Sequence, residues 1–324
     1  MASPGTMTGS TFTELATTTY RSHKKKIDDN FTNRNALLKY IQRRGNKVME
    51  TGGLSIVTPL DYAANGTYMR YSDWDILDIS QSEVISAAEW PWKQIAINVV
   101  ASGREIRINA GDSMITKLVA ARLKNAIRTF SNNFSTDLYS DGALSNQING
   151  LQAIVADTNT NTIGGINANT YTFWRNTVLD ASDTVTTPSA TNFENGLMLP
   201  IWLTLDRGPD DQPDLIVMDS NYYAFFEASQ VSLKRYNDTS RGDAGFVTLR
   251  YKNADVLYDG NSGIPANKAY FLNTNYLNLN VHQDADLEIL DDIRPVNQDG
   301  SVTAILWMGN LTCSNRKLQG VIKA

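Results

Sequence analysis

Residues 112–139, DSMITKLVAARLKNAIRTFSNNFSTDLY, carry the strongest helical pattern of this 324-residue chain. Apolar side chains recur in it every three or four residues, as they do along one face of an α-helix, at Ile115, Val119, Leu123, Ile127, Phe130, Phe134 and Leu138. Asp112 or Ser113 can cap the first turn. An unbroken helix to Tyr139 would be about 40 Å long, so the sequence predicts one long helix here.

The outer side of this predicted helix is basic. Lys117, Lys124 and Arg128 lie near one another there. A solvated helix face accounts for such residues in most proteins, and a surface that faces DNA or a neighbouring subunit is the alternative. The sequence leaves both interpretations open.

Beyond the helix, strands and shorter helices alternate without a regular rhythm. Leu215–Met218 is typical of a short buried strand, and a helix over Ser220–Ser229 follows it, with Asp219 or Ser220 as its cap. Further strands are predicted near residues 246–258, 268–281, 286–290, 302–308 and 316–322. Because the regular β-α-β order of a parallel sheet is missing, the predicted fold class is α+β.

The segment before the helix predicts a long hairpin. Gly52-Gly53 opens a strand around Leu54–Leu60, and Asn65-Gly66 has the composition of a two-residue type I′ turn. A return strand is predicted through Thr67–Tyr71. The hairpin and the residues after it carry large apolar side chains but no second layer, so we expect this segment to pack on something else, such as a neighbouring subunit.

A second pair of strands is predicted nearer to the helix. Ile95, Ile97 and Val99 alternate with polar residues before Ser102-Gly103, and Ile106 and Ile108 alternate after it. Alternation of this kind is the signature of half-buried strands, so the sequence predicts a turn at Ser102-Gly103.

The N-terminal segment differs in charge from the rest of the chain. Residues 1–47 hold nine lysines or arginines and three acidic residues, whereas the remainder holds 20 basic and 31 acidic residues. Asn33 can cap a helix that includes Leu37, Leu38 and Ile41, and Gly45 can end it. A basic arm on an acidic body is expected where one end meets nucleic acid or an acidic partner, and a solvated terminus is the simpler explanation.

Few residues of the chain suit catalysis or metal binding. Cys313 is the single cysteine, which we expect to be a buried thiol, and His23 and His282 are the only histidines. Asp210-Asp211 and Asp291-Asp292 could bind a hard cation but fit solvated turns better. We therefore expect no cofactor, no metal site and no enzymatic activity, although sequence spacing leaves open a hydrolase that uses two carboxylates.

The N-terminus lacks the apolar core of a signal peptide, and no apolar run approaches the roughly 20 residues that span a bilayer. Residence in a cytoplasm, without a membrane partner, is the default expectation.

Several segments from Gln147 onwards resemble one protein family. They are Gln147–Ile154, Gly164–Ile166, Trp174–Asn176, Leu215–Tyr223, Ala269–Leu277, Trp307–Leu311 and Asn315–Gly320. In this order, spread over residues 84–324, they are similar to the major capsid proteins of tailed bacteriophages with the Hong Kong 97 fold.

The resemblance implies an architecture with an N-arm, an extended β-hairpin loop, a long spine helix, and peripheral and axial domains. The arm would be residues 1–47, the loop 48–82, the peripheral domain with its spine helix 83–144, the axial domain 145–265, and the return to the peripheral domain 266–324. The loop residues expected at a contact between subunits are Leu54, Ile56, Tyr68, Tyr71 and Trp74.

The resemblance also implies a function. Copies of such a protein form hexamers and pentamers of an icosahedral shell around double-stranded DNA, in the cytoplasm of a bacterial host. Portal, a separate scaffold and a cementing or decoration protein are further expected partners. Contact with the genome would be independent of base sequence and use Lys24, Lys25, Lys26, Arg43 and Arg44, with Lys117, Lys124 and Arg128 facing the genome or a partner.

Three other functions fit the sequence less well. An encapsulin-like compartment would use the same fold to enclose a cargo enzyme, which the basic arm disfavours. A glycoside hydrolase would be a monomer or small oligomer with a deep acidic pocket. A tail or adhesin component is disfavoured by the long helix and by the lack of β-repeats.

Some capsid proteins of this family cross-link a lysine of the extended loop to an asparagine of a neighbour. This chain has no lysine between Lys47 and Lys93, so the predicted loop offers no such amine. We expect mature particles to run at the monomer position on a denaturing gel. A ladder of covalent multimers would contradict this expectation.

Overall fold

The computed structural model describes residues 36–108, 112–185, 187–209, 211–232, 249–259, 263–290, 293–294 and 297–324. These residues fall into two compact units. The smaller unit holds Gln94–Phe134 and Asp284–Met308, and the larger holds Ser135–Gln283, Gly309–Ala324 and the described residues before Gln94. The predicted basic cluster at Lys24–Lys26 and the acidic pair Asp291-Asp292 lie outside the described residues.

Helices and strands alternate along the described chain. The helices are α1 (Ala36–Arg44), α2 (Gly103–Ile108), α3 (Asp112–Asp137), α4 (Leu151–Ile154), α5 (Ala181–Thr184), α6 (Leu199–Leu205) and α7 (Ser220–Ser232). The strands are β1 (Lys47–Glu50), β2 (Ser55–Asp61), β3 (Ile85–Pro91), β4 (Lys93–Ser102), β5 (Thr162–Ile163), β6 (Ile166–Asn167), β7 (Thr177–Asp180), β8 (Leu215–Met218), β9 (Leu249–Tyr251), β10 (Ala254–Tyr258), β11 (Ala269–Leu272), β12 (Leu277–Ile289), β13 (Gly300–Cys313) and β14 (Gly320–Lys323).

The larger unit is built on a six-stranded sheet in the order β7-β14-β11-β8-β10-β9. Its central strands, β8 and β11, are antiparallel, and every residue of both is buried. Helices α6 and α7 contribute Ile201, Trp202 and Phe226 to the core that covers this sheet. Asp219 caps α7 by accepting a hydrogen bond from the Tyr222 backbone N–H at 3.0 Å. The predicted strand, helix and cap in this region are confirmed.

The smaller unit is organised around α3, which confirms the predicted long helix. The helix has 26 residues and ends at Asp137, two residues earlier than the apolar pattern suggested. Phe130 and Phe134 stack on each other and pack against Trp307 of β13, and the Phe134 and Trp307 ring centroids lie 4.8 Å apart. Val99 of β4, Ala126 of α3 and Ile305 of β13 form a second buried group.

The prediction of a strand after Ser102-Gly103 is wrong, because Gly103–Ile108 is helix α2. Ser102 and Glu105 form a reciprocal cap that favours a helix. The Ser102 hydroxyl accepts from the Glu105 N–H at 3.3 Å, and the Glu105 carboxylate accepts from the Ser102 N–H at 3.0 Å. This Ser-x-x-Glu spacing is present in the sequence, but the strand prediction rested on the alternation of apolar and polar residues.

The predicted hairpin turn is also wrong. Strand β2 pairs with β3, not with residues 67–71, in an antiparallel register that runs from Ser55 opposite Pro91 to Asp61 opposite Ile85. A type I′ turn needs positive φ at both central residues, and neither Asn65 nor Gly66 has it. The Asn65 side chain instead accepts a hydrogen bond from the Thr67 N–H at 3.0 Å. Residues 62–84 therefore form a long connection between the two strands.

A buried arginine joins the irregular segments of the larger unit. Arg316 is fully buried, and its guanidinium donates hydrogen bonds to the backbone carbonyls of Ile154 at 2.7 Å and Trp174 at 3.0 Å. It also donates to the side-chain oxygens of Asn161 at 2.8 Å and Asn176 at 3.1 Å. All four acceptors are neutral, and burial lowers the pKa of Arg316 to about 10, so the group stays charged at neutral pH.

We expect Arg316→Lys to lower the free energy of unfolding by about 3 kcal/mol or more, because lysine leaves several of these buried acceptors without a donor. Urea unfolding followed by tryptophan fluorescence measures the change. Arg107→Lys is the matched control, since the Arg107–Asp299 ion pair at 2.7 Å is exposed and should contribute less than about 1 kcal/mol. Equal losses in the two variants would contradict the role assigned to Arg316.

Candidate interaction surface

The described part of the chain contains no group of three or more histidine, cysteine, aspartate or glutamate side chains that could hold a metal ion. None of the described helices is long and apolar enough to cross a membrane. Cys313 is buried, as predicted, and burial raises the pKa of its thiol to about 12.

The connection between β2 and β3 is a prominent exposed surface. Every residue from 68 to 81 is exposed. Trp74 is 96% exposed, Ile76 92% and Ile79 94%, and Tyr68, Tyr71 and Leu77 are also exposed. Side chains of this size are usually covered in a folded protein, and an exposed apolar patch commonly marks an interaction site. We call residues 62–84 the β2–β3 loop.

The β2–β3 loop is held by local hydrogen bonds. The Asp75 carboxylate accepts from the Ser72 N–H at 2.7 Å, and the Ser82 hydroxyl accepts from the Gly66 N–H at 3.3 Å. The Asp78 carboxylate accepts from the Ser80 N–H at 2.9 Å, which holds the pKa of Asp78 below its usual range. Polar side chains thus brace the turns, while the apolar side chains point to solvent.

The same region is strongly acidic. Between Leu54 and Pro91 there are six acidic residues and one basic residue, Arg70. The acidic ones are Asp61, Asp73, Asp75, Asp78, Glu83 and Glu89, and all of them are exposed. The loop is therefore a surface of exposed apolar side chains interspersed with negative charge.

The five loop residues predicted to contact a neighbouring subunit differ in their exposure to solvent. Leu54, Tyr68, Tyr71 and Trp74 are exposed. Ile56 is only 3% exposed and lies opposite the buried Trp90 in the β2–β3 pair. Its side chain therefore belongs to the core of the larger unit and is not available to a neighbour.

The helix predicted in the arm is present as α1, and it packs within the larger unit. Leu37 and Ile41 are fully buried, and Gly45 ends the helix with φ +79°. The arm has too few apolar positions to fold alone, and for α1 the rest of its own chain supplies the surface that it packs on. The apolar face of α1 is only two or three residues wide, and the chain itself covers it.

Polar contacts at both ends hold α1 in place. At its N-terminal end the Asp259 carboxylate accepts from the Leu37 N–H at 3.4 Å and from the buried Tyr139 hydroxyl at 2.6 Å. At its C-terminal end Arg44 forms an ion pair with Asp214 at 2.8 Å. Burial, together with the Asp259 charge, raises the pKa of Tyr139 well above its usual range, so the hydroxyl remains a donor.

The predicted basic residues are not brought together in one described site. Arg43 is exposed, whereas Arg44 is engaged by Asp214. On α3, Lys124 is exposed and Arg128 is partly buried. Lys24, Lys25 and Lys26 lie outside the described residues, and so does the side chain of Lys117.

Sequence patterns missed two features of these surfaces. The contacts of Asp259 with Tyr139 and α1 join residues more than 100 positions apart, and no local pattern signals them. The acidic character of the β2–β3 loop is visible in the composition of residues 61–89, whereas the hairpin pattern of Asn65-Gly66 predicts only a turn.

No protein-family model matches the chain, and no curated protein sequence matches it significantly. Solved structures do match. The capsid asymmetric unit of cyanophage A-1(L) has a TM-score of 0.68 at 18% identity, over 92% of this chain and 94% of that one. The capsid of Myoviridae phage XM1 has a TM-score of 0.57 at 11% identity, over 92% and 94%. The holo-SrpI encapsulin complex from Synechococcus elongatus PCC 7942 has a TM-score of 0.55 at 7% identity, over 94% of both chains.

These likenesses extend over nearly the whole chain in each case. The chain therefore has the Hong Kong 97-type capsid fold, as the resemblance in sequence implied, and the predicted α+β class is confirmed.

Proposed function

We propose that this chain is the major capsid protein of a tailed bacteriophage. Many copies would assemble as hexamers and pentamers into an icosahedral shell around double-stranded DNA. The observation that carries the proposal is the β2–β3 loop. Its large apolar side chains are exposed to solvent, in a chain that has a capsid fold. Repeated symmetric contacts through such a loop would let weak individual interactions add up to a stable shell.

We propose the following assignment of segments to the parts of the capsid fold. Residues 1–47 would be the arm, of which α1 is docked on its own chain, and residues 48–82 would be the extended loop. Residues 83–144 and 266–324 would form the peripheral domain, and 145–265 the axial domain. The role is structural and not catalytic in this proposal.

The proposed partners are other copies of the chain, the packaged genome, a portal, a separate scaffold and a cementing or decoration protein. Assembly would take place in the cytoplasm of a bacterial host, and the final location would be the virion capsid. The likeness to an encapsulin supports the alternative of a protein compartment with the same fold. Nuclease-protected DNA inside purified shells would favour the virion, and a protein cargo would favour the compartment.

The first experiment tests assembly. We expect the expressed chain, alone or with the products of neighbouring genes, to form closed shells in negative-stain micrographs. Replacing Trp74, Ile76 and Ile79 together by serine should leave soluble, unassembled subunits, because the apolar contact is lost.

Leu144→Ser combined with Leu203→Ser is the control, since these exposed leucines lie outside the loop. Shells from the loop variant would contradict the role of the loop. A wild-type chain that stays a compact monomer at high concentration would contradict the proposed function itself.

The second experiment tests contact with the genome. Replacing Lys24, Lys25, Lys26, Arg43 and Arg44 by glutamine should reduce the nuclease-protected DNA per particle, whereas replacing a single lysine should be tolerated. Arg44 also forms an ion pair with Asp214, so Arg44→Gln alone is the control. It measures how much of the change in protected DNA comes from the loss of that ion pair. Normal packaging by the five-fold variant would contradict a role of this segment in DNA binding.

A further inference from the structure

The Asn65-Gly66 pair, which forms no type I′ turn, belongs to a chemically labile type of sequence. The chain has two more such pairs, Asn149-Gly150 and Asn195-Gly196. Glycine has no side chain to obstruct the approach, so its backbone nitrogen can attack the Cγ atom of the preceding asparagine and displace the amide. The backbone must rotate for this attack, and the fold around each pair therefore decides its rate.

The fold restrains Asn149-Gly150 by packing. The Asn149 backbone N–H donates to the Asn310 side chain at 2.9 Å, and Gly150 is buried. A Cβ atom added at Gly150 would overlap the backbone nitrogen of Ser140. The chain at this pair has no room to rotate.

Asn195-Gly196 is restrained by a hydrogen bond. Asn195 is exposed, but it lies in the helical turn Phe193–Met198. There the Gly196 N–H donates to the Asn192 carbonyl at 2.7 Å. The nitrogen that would attack must first lose this bond and leave the helical turn.

Asn65-Gly66 lies in the β2–β3 loop, and both of its residues are exposed. The Asn65 side-chain oxygen accepts hydrogen bonds from the Thr67 N–H at 3.0 Å and from the Thr67 hydroxyl at 2.8 Å. The first of these folds the Asn65 side chain back over the Gly66 peptide group. Both donors also point at the oxygen that becomes negatively charged when the Cγ atom is attacked, and fixed donors at such an oxygen lower the barrier.

The Gly66 nitrogen has a partner that leaves it available. Its N–H donates to the Ser82 hydroxyl at 3.3 Å, which is long for a hydrogen bond. A hydroxyl both accepts and donates, so it can pass a proton on to water. The Gly66 nitrogen therefore has a route by which to lose its proton.

We propose that Asn65 is a site of spontaneous deamidation, promoted by its contacts with Thr67. The Gly66 nitrogen loses its proton to water and bonds to the Asn65 Cγ atom. The Cγ–Nδ2 bond then breaks, and the amide nitrogen takes up a proton and leaves as ammonia. Water opens the resulting cyclic imide to aspartate or isoaspartate, which adds a negative charge to an already acidic loop. The reaction belongs to the chain itself, whether or not copies assemble.

Peptide mapping by mass spectrometry tests the proposal on the purified full-length chain, incubated at mildly alkaline pH. We expect the Asn65 amide to be lost about tenfold faster or more than the amides of Asn149 and Asn195, because only those two must first give up local structure. In urea the three pairs should react at similar rates, since the fold no longer distinguishes them.

Two results of this mapping overturn the inference. The first is loss at Asn149 or Asn195 in the folded chain that is as fast as the loss at Asn65. The second is a preference for Asn65 that persists undiminished in urea, because the rate would then come from the neighbouring sequence and not from the fold.

Variants of the two following residues separate their contributions. Gly66→Ala should slow the loss of the Asn65 amide about tenfold, because a side chain obstructs the attack. The loop accommodates this change, since the added Cβ atom would lie 3.6 Å from the Ser82 hydroxyl oxygen. Thr67→Val removes the hydroxyl donor and should slow the loss about threefold or more.

Thr67→Ser is the matched control, because it keeps the hydroxyl and should react at the wild-type rate. The rates at Asn149 and Asn195 in the same digests report whether each variant remains folded. A folded Thr67→Val chain that loses the Asn65 amide as fast as the wild type would contradict the promotion by Thr67.

Discussion

The larger unit depends on a positive charge that is buried among neutral hydrogen-bond acceptors. Arg316 donates to the carbonyls of Ile154 and Trp174, which each end a short helical segment and so lack partners within it, and to the side chains of Asn161 and Asn176. A guanidinium has five N–H donors in a rigid plane, so one side chain can satisfy several such groups at once. The six-stranded sheet supplies the core, and this arginine fixes the irregular chain next to it.

Elements with strong local signals could be predicted from sequence. Helix α3 followed from its apolar periodicity, and β8 with α7 followed from a short apolar run and a capping aspartate. Helix α2 was mistaken for a strand because two isoleucines alternate with polar residues there, although the cap formed by Ser102 and Glu105 prevails in the fold. Local hydrogen bonding outweighed alternation over so short a segment.

Features that depend on distant residues could not be predicted. Strand β2 pairs with β3, which begins at Ile85 and not at the expected Thr67, and this pairing buries Ile56 opposite Trp90. The docking of α1 depends on Asp214 and Asp259, which lie far along the chain. Of the candidate site residues, the sequence indicated the exposed apolar side chains of the β2–β3 loop, but not the packing of Ile56 or the pairing of Arg44.

The burial of Cys313 has a consequence for the chemical durability of the folded chain. A thiol reacts with oxidants and with other thiols through its thiolate, and a pKa of about 12 leaves almost none of that form at neutral pH. In the folded chain, disulfide exchange and oxidation to sulfenic acid at Cys313 should therefore be slow. Storage without reducing agents should leave such material chemically homogeneous at its only cysteine.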